Sequence, residues 1–219
     1  MSREQDVVIE VFGEGKADVG GDPQPRRPEK GVVPILLDRL CGKPKTMVVK
    51  PQRYPFLERQ VSGSGWRRKA ESARKQAYRN GSAGAVFVID SEGDLRKRSK
   101  DLAEGRDAGP AALPMAIGVA HPCIEAWLLA DAGAIRRAMN LSGAPAVPPD
   151  PETLPAGRNN AAHPKNELRN AAGSMKGLSA KQMTAIAKAM NNVDLVRIRC
   201  PLSFAPFADE VHQHIRPLF

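Results

Sequence analysis

Several signatures that would assign this chain at a glance are missing from it. There is no Gly-x4-Gly-Lys-Ser/Thr phosphate loop, and Gly13-Glu14-Gly15 lacks the third glycine of a Gly-x-Gly-x-x-Gly turn. A nucleotide-binding or phosphotransfer reading therefore has no motif behind it. Cysteine is scarce: Cys41, Cys123 and Cys200 lie far apart with no CxxC pair. That argues against a disulfide framework and a zinc ribbon, and it suits a reducing cytoplasm. No apolar run approaches the ~20 residues needed to span a bilayer. The polar start Met1-Ser2-Arg3-Glu4-Gln5-Asp6 is no signal peptide, so no membrane partner is expected.

Acidic residues are nearly absent from one long stretch. Between Lys43 and Arg79 there are eleven basic residues and only two acids, Glu58 and Glu71, so this stretch holds the whole net charge of +9. A charge run is often a solvated helix face. An excess gathered in one place is also the electrostatic footprint of a polyanion partner, here nucleic acid. The bases expected to hold phosphates are Lys45, Arg53, Arg67, Arg68, Lys69, Arg74 and Lys75.

The 219 residues alternate strand-like and helix-like segments. Asp6–Phe12, Thr46–Lys50, Ala85–Ile89 and Met115–Val119 read as strands. Val32–Leu40, Trp66–Arg79, Leu95–Glu104 and Cys123–Asn140 read as helices. This order predicts βα units, hence an α/β fold with a mostly parallel four-stranded sheet flanked by helices. Gly143–Pro164 is rich in proline and reads as a long loop. Beyond it Lys165–Ala172, Ser179–Asn191 and Pro206–Ile215 look helical, with Ser179 as an N-cap. The expected division is an α/β core over 1–142, a loop over 143–164 and a C-terminal helical extension over 165–219 that packs on the core. Gly20–Lys30 and Ser62–Gly65 read as flexible lips.

Acids sit where strands end. Glu14 follows the first strand in Val7-Val8-Ile9-Glu10-Val11-Phe12-Gly13-Glu14. Asp90, Glu92 and Asp94 follow the third in Val86-Phe87-Val88-Ile89-Asp90-Ser91-Glu92-Gly93-Asp94. Ligands of open α/β sheets bind at such carboxyl ends. Clustered carboxylates repel, and a divalent cation relieves the repulsion; hard oxygen ligands favour Mg2+ or Mn2+. Asp90, Glu92 and Asp94 are the expected metal ligands, with Glu14 sharing the metal or transferring a proton and Glu125 as an additional acid. Asp-Ser-Glu-Gly-Asp is equally ordinary turn and helix-cap chemistry. Lys165 reads as a phosphate contact or a solvated helix-start lysine, His212 and His214 as surface residues, and Cys200 and Trp127 as core.

Residues 8–18 resemble the strand-plus-glutamate motif of Toprim domains, the fold shared by topoisomerases, bacterial primases and nucleases of the overcoming-lysogenisation-defect group. Val86–Glu92 resembles their DxD motif. Cys123-Ile124-Glu125-Ala126-Trp127-Leu128-Leu129-Ala130-Asp131, with His163–Leu168 and Cys200–Phe207, is similar to a bacterial Toprim-like family of the RloB-like kind. The resemblance implies a Toprim-like core and Mg2+-dependent phosphodiester chemistry. It makes Glu14 the acid–base glutamate, Asp90 the first metal aspartate and Glu92 the occupant of the second aspartate's place. It further implies phage defence beside an ATPase partner. Tyr54 and Tyr78 are the only tyrosines and neither stands out as a topoisomerase nucleophile, so a nuclease is the catalytic expectation. The longer side chain at Glu92 leaves a second reading open, a degenerate module that binds nucleic acid or a protein.

Overall fold

Four short apolar segments pair side by side. The computed structural model describes residues 6–20, 30–53 and 65–219, apart from the side chains of Lys16 and Arg53. Val7–Gly13 (β1), Met47–Arg53 (β2), Gly84–Asp90 (β3) and Met115–Ala120 (β4) form one sheet of order β2-β1-β3-β4, parallel throughout. The α/β class and the four-stranded parallel sheet expected from the alternation are the observed architecture, in a Rossmann-like layout. Helices Lys16–Val19 (α1) and Val32–Leu40 (α2) follow β1, Gly65–Arg79 (α3) leads into β3, and Leu95–Ala108 (α4) leads into β4. After β4 come Ile124–Leu129 (α5), Ala132–Met139 (α6), Pro164–Ala171 (α7), Ala180–Ala189 (α8), Val193–Arg199 (α9) and Phe204–His214 (α10).

Side chains of a strand alternate between faces, and the core obeys this. Ile9, Val11, Val86, Val88, Ala116 and Ala120 enter one apolar cluster together with Leu36, Trp127, Ile186, Val196 and Phe207. Phe12, Ala85, Phe87, Ile89, Met115 and Val119 enter a second cluster with Ala70, Ala73 and Ala77 of α3 and Leu102 of α4. Helices α7 to α10 thus belong to the first cluster and help cover one face of the sheet. Phe207 stacks on Trp127 with ring centroids 5.4 Å apart. It also approaches β4 closely at Gly118, where a Cβ would stand 2.7 Å from its ring, so the close approach needs glycine.

Two local expectations change. The single helix read over 123–140 is two, because Asp131 starts a new helix by accepting the Ala134 amide at 2.8 Å. Helix α9, over residues not read as helical, is capped by Asn192, whose side chain accepts the amides of Asp194 and Leu195. The proline-rich segment contains one 3-10 turn, Pro151–Thr153, and is rooted there. Glu152, 1 % exposed, accepts the Leu202 amide at 2.6 Å and the Ser203 hydroxyl, while Ser203 accepts the Trp127 indole N–H at 2.7 Å. Arg199 donates to the carbonyls of Ala130, Pro148 and Pro149. The expected lips at 20–30 and 62–65 fall mainly outside the described residues. Among the described residues no helix is long and apolar enough to cross a membrane.

Candidate metal and phosphate site

In a parallel sheet all carboxyl ends share one edge. β1 and β3 are neighbours with Phe12 paired to Phe87, so Glu14 emerges beside Asp90. β4 adjoins β3, and Glu125 lies in the first turn of the helix after it. A fourth carboxylate joins them. A Cβ at Gly13 would sit 2.6 Å from Val19 Cγ1, so the bare backbone there lets α1 fold back on the strand end. This returns Asp18 to the edge, where its Oδ2 accepts the Gly15 amide at 2.8 Å.

Burial and mutual repulsion act together on these acids. Asp90 is raised well above the ordinary carboxylate range, first by burial and then by Glu125, Asp18 and Glu14, although the Ile124 amide, 2.9 Å from its Oδ1, opposes the shift. Asp18 is raised by burial, with Glu125 adding to it and the Gly15 amide and Lys165 opposing. Glu14 is raised by burial, Glu92 and Asp18, and lowered by Arg98 and Lys69. Burial tends to lower the Lys165 ammonium, yet Glu125, Asp90 and Cys123 outweigh it and raise it. Lys165 Nζ is 3.9 Å from Glu125 Oε1. The acids from three strand ends therefore feel one another, and one lysine from α7 faces them.

The acids of the 90–94 turn do not gather. Glu92 adopts a left-handed φ of 49° and is directed outward, where Arg98 and Arg158 each donate to its carboxylate at 2.7 Å. Asp94, expected as a metal ligand, is the N-cap of α4 and accepts the Lys97 amide. The physical reason is local: an acid three residues before a helical amide satisfies an orphan donor.

The expected bases also divide. Arg67, Arg68 and Lys69 lie in the first turns of α3, with Lys69 close enough to Glu14 to lower its pKa, and Arg53 ends β2 on the same edge. Lys45 precedes β2, beside the start of β1, and so lies at the opposite edge of the sheet. Arg74 is 8 % exposed and donates to the carbonyls of Arg106, Ala111 and Leu113, which ties the α4–β4 turn to α3. Lys75 pairs with Glu71 at 2.8 Å. Asp18, Arg98 and Arg158 are the participants that sequence reasoning did not single out, and Lys165, read as a phosphate contact or a solvated lysine, faces the acids. Asp18 had one signal, its place four residues after Glu14.

The donor chemistry suits a hard divalent cation. Glu14 Oε1 and Glu125 Oε2 are buried oxygens without a hydrogen-bond partner among the described residues, and the raised acids would be relieved by positive charge. The side chains do not form a ready coordination shell: among the described residues no three His, Cys, Asp or Glu groups stand where one ion could take them all. Two clefts flank Glu92. One of about 200 Å³ is lined by Asp90, Cys123, Arg158, His163 and Lys165, and one of about 380 Å³ by Trp66, Ser91, Lys97 and Arg98. Compared with family models, with curated proteins and with solved structures, the chain matches none.

Proposed function

We propose that this protein hydrolyses phosphodiesters of nucleic acid with a divalent metal, as a Toprim-like nuclease or nickase. The observation that carries the reading is the meeting of Glu14, Asp18, Asp90 and Glu125 at one sheet edge, their charges opposed by Lys165 and Lys69. Asp90, Glu14, Asp18 and Glu125 are the residues that would hold Mg2+ or Mn2+. The bound cation supplies Lewis-acid polarisation of a phosphate oxygen and a lower pKa for water. Glu14, raised above the ordinary carboxylate value by burial and by Glu92 and Asp18 and with Oε1 unpartnered among the described residues, would take a proton from the attacking water. Lys165 stays protonated beside Glu125 and faces charge developing on the phosphate. The first turns of α3 supply further positive charge to the backbone of the strand.

The test is nicking of plasmid and single-stranded substrates with Mg2+ or Mn2+, comparing wild type with Glu14→Gln and Asp90→Asn. Loss of about 10²-fold or more in either variant supports the assignment, and variants that cleave like wild type refute it. A second reading, a non-catalytic module that binds nucleic acid or docks a partner, is favoured by the engagement of Glu92 with two arginines. Absence of Mn2+ binding at millimolar concentration in calorimetry would select it. The resemblance adds a defence setting and an ATPase partner, which co-purification with a neighbouring ATPase would test.

A further inference from the structure

Arg98 and Arg158 come from different elements, α4 and the proline-rich loop, yet converge on one carboxylate. Glu92 Oε2 accepts from Arg98 and Oε1 from Arg158, each at 2.7 Å. Two guanidiniums so close repel unless an anion lies between them, and Glu92 provides it. Arg98 is fixed from a second side, since its Cζ lies 4.9 Å from the Trp66 ring centroid. Its side chain is 17 % exposed, and its Nη1 is buried with no hydrogen-bond partner among the described residues. Arg98 lines a cleft beside Glu92, where a guanidinium can offer charge-assisted hydrogen bonds to an oxyanion. Arg158 is 72 % exposed and retains donors on its outer side. Glu92 lines both clefts, with Arg98 in one and Arg158 in the other. A strand crossing from one cleft to the other passes over this pair.

We propose that Glu92 is a positioning residue that sets Arg98 and Arg158 as a paired seat for a backbone phosphate next to the reacting one, rather than a ligand of the metal. The inference rests on the reading of this edge as a nucleic-acid site. It gives the glutamate at this position a use of its own: the longer side chain reaches outward to two guanidiniums instead of inward to a cation.

The experiment measures binding of a fluorescent 20-nucleotide single strand by anisotropy in EDTA over a range of salt, and cleavage of the same strand over a range of Mg2+. Wild type, Glu92→Gln, Arg158→Gln and the double variant are compared. Removing a carboxylate near a polyanion should by simple Coulomb attraction tighten binding. If Glu92 positions the arginines, Glu92→Gln instead weakens binding about tenfold, of the order of one lost charge-assisted contact. Arg158→Gln weakens it similarly and lowers the salt slope by about 0.7. The double variant then adds little to either single one, and the Mg2+ midpoint of cleavage stays where it was. Unchanged or tighter binding by Glu92→Gln, or a raised Mg2+ midpoint, overturns the proposal and restores Glu92 as a ligand. If wild type binds and Glu92→Gln weakens it while nothing cleaves, the seat stands and the nuclease reading falls. If wild type does not bind the strand at all, both fall.

Discussion

Asp90→Asn should make the metal-free protein more stable, although it removes the central acid of the site. Asp90 sits partly buried at the end of β3 with three other carboxylates around it. Burying an ionised carboxylate among like charges costs several kcal/mol after relaxation, and Lys165 offsets part of that cost. A hydrogen bond from an amide to a charged acceptor, here from Ile124, returns about 1.5–3 kcal/mol. Asparagine keeps that bond through its Oδ1 and drops the charge, so the substitution should return the remainder, on the order of 1–2 kcal/mol. For a chain of this size that is roughly 2–8 °C in Tm. The pH dependence follows from linkage. Asp90, Asp18 and Glu14 all have folded values raised above their ordinary 3.8, 3.8 and 4.5. Their neutral forms suit the folded state, so stability is fullest below those ordinary values and is lost as pH rises through the raised ones. Wild type should therefore lose stability between acid and neutral pH, and Asp90→Asn should lose less. Saturating Mg2+ should restore wild type by RT ln(1 + [L]/Kd), about 1.4 kcal/mol at ten times Kd, and the variant much less. Thermal melts by circular dichroism at several pH values, with and without Mg2+, read all of this. A variant less stable than wild type at pH 7.5 without metal, or an equal Mg2+ shift in both, would refute the reasoning.

Three further outcomes follow from the placement of other residues. Asp94→Ala should cost about 1 kcal/mol through loss of the α4 cap and leave the metal midpoint of cleavage unmoved, which a melt and a Mg2+ titration would check. Arg74→Met strands the carbonyls of Leu113 and Arg106, so it should cost about 2–4 kcal/mol while the salt slope of nucleic-acid binding stays at the wild-type value. Glu152→Ala frees the Leu202 amide and the Ser203 hydroxyl; it should cost a similar ~2–4 kcal/mol and speed proteolytic cutting within residues 143–163, seen as new fragments by mass spectrometry.

Local chemistry made much of this protein readable in advance. The short, mostly apolar runs of β1, β3 and β4, buried on both faces, the break of β3 into an acidic turn and the cap at Ser179 all arise from neighbours in sequence, so the α/β class and the strand-end positions of Glu14 and Asp90 were legible. Element ends shifted by a few residues where a competing cap took over, as at Asp131. What lay beyond the sequence was which distant residues would share one edge. Strand order brings the ends of β1, β3 and β4 together, and only that order sets Glu125 against Asp90 and Asp18. The chain's return through α7 carries Lys165 to Glu125, and the rooted proline-rich loop delivers Arg158 to Glu92. The basic stretch between Lys43 and Arg79 shows the converse. Its charge was plain in the sequence, yet folding sends Lys45 to the far edge and Arg74 into the interior, because a parallel sheet separates the two ends of every strand and a helix turns each residue toward a fixed direction. Sequence determined the elements and the charges they carry; tertiary structure decided which of those charges meet, because electrostatic coupling depends on distance through space and not along the chain.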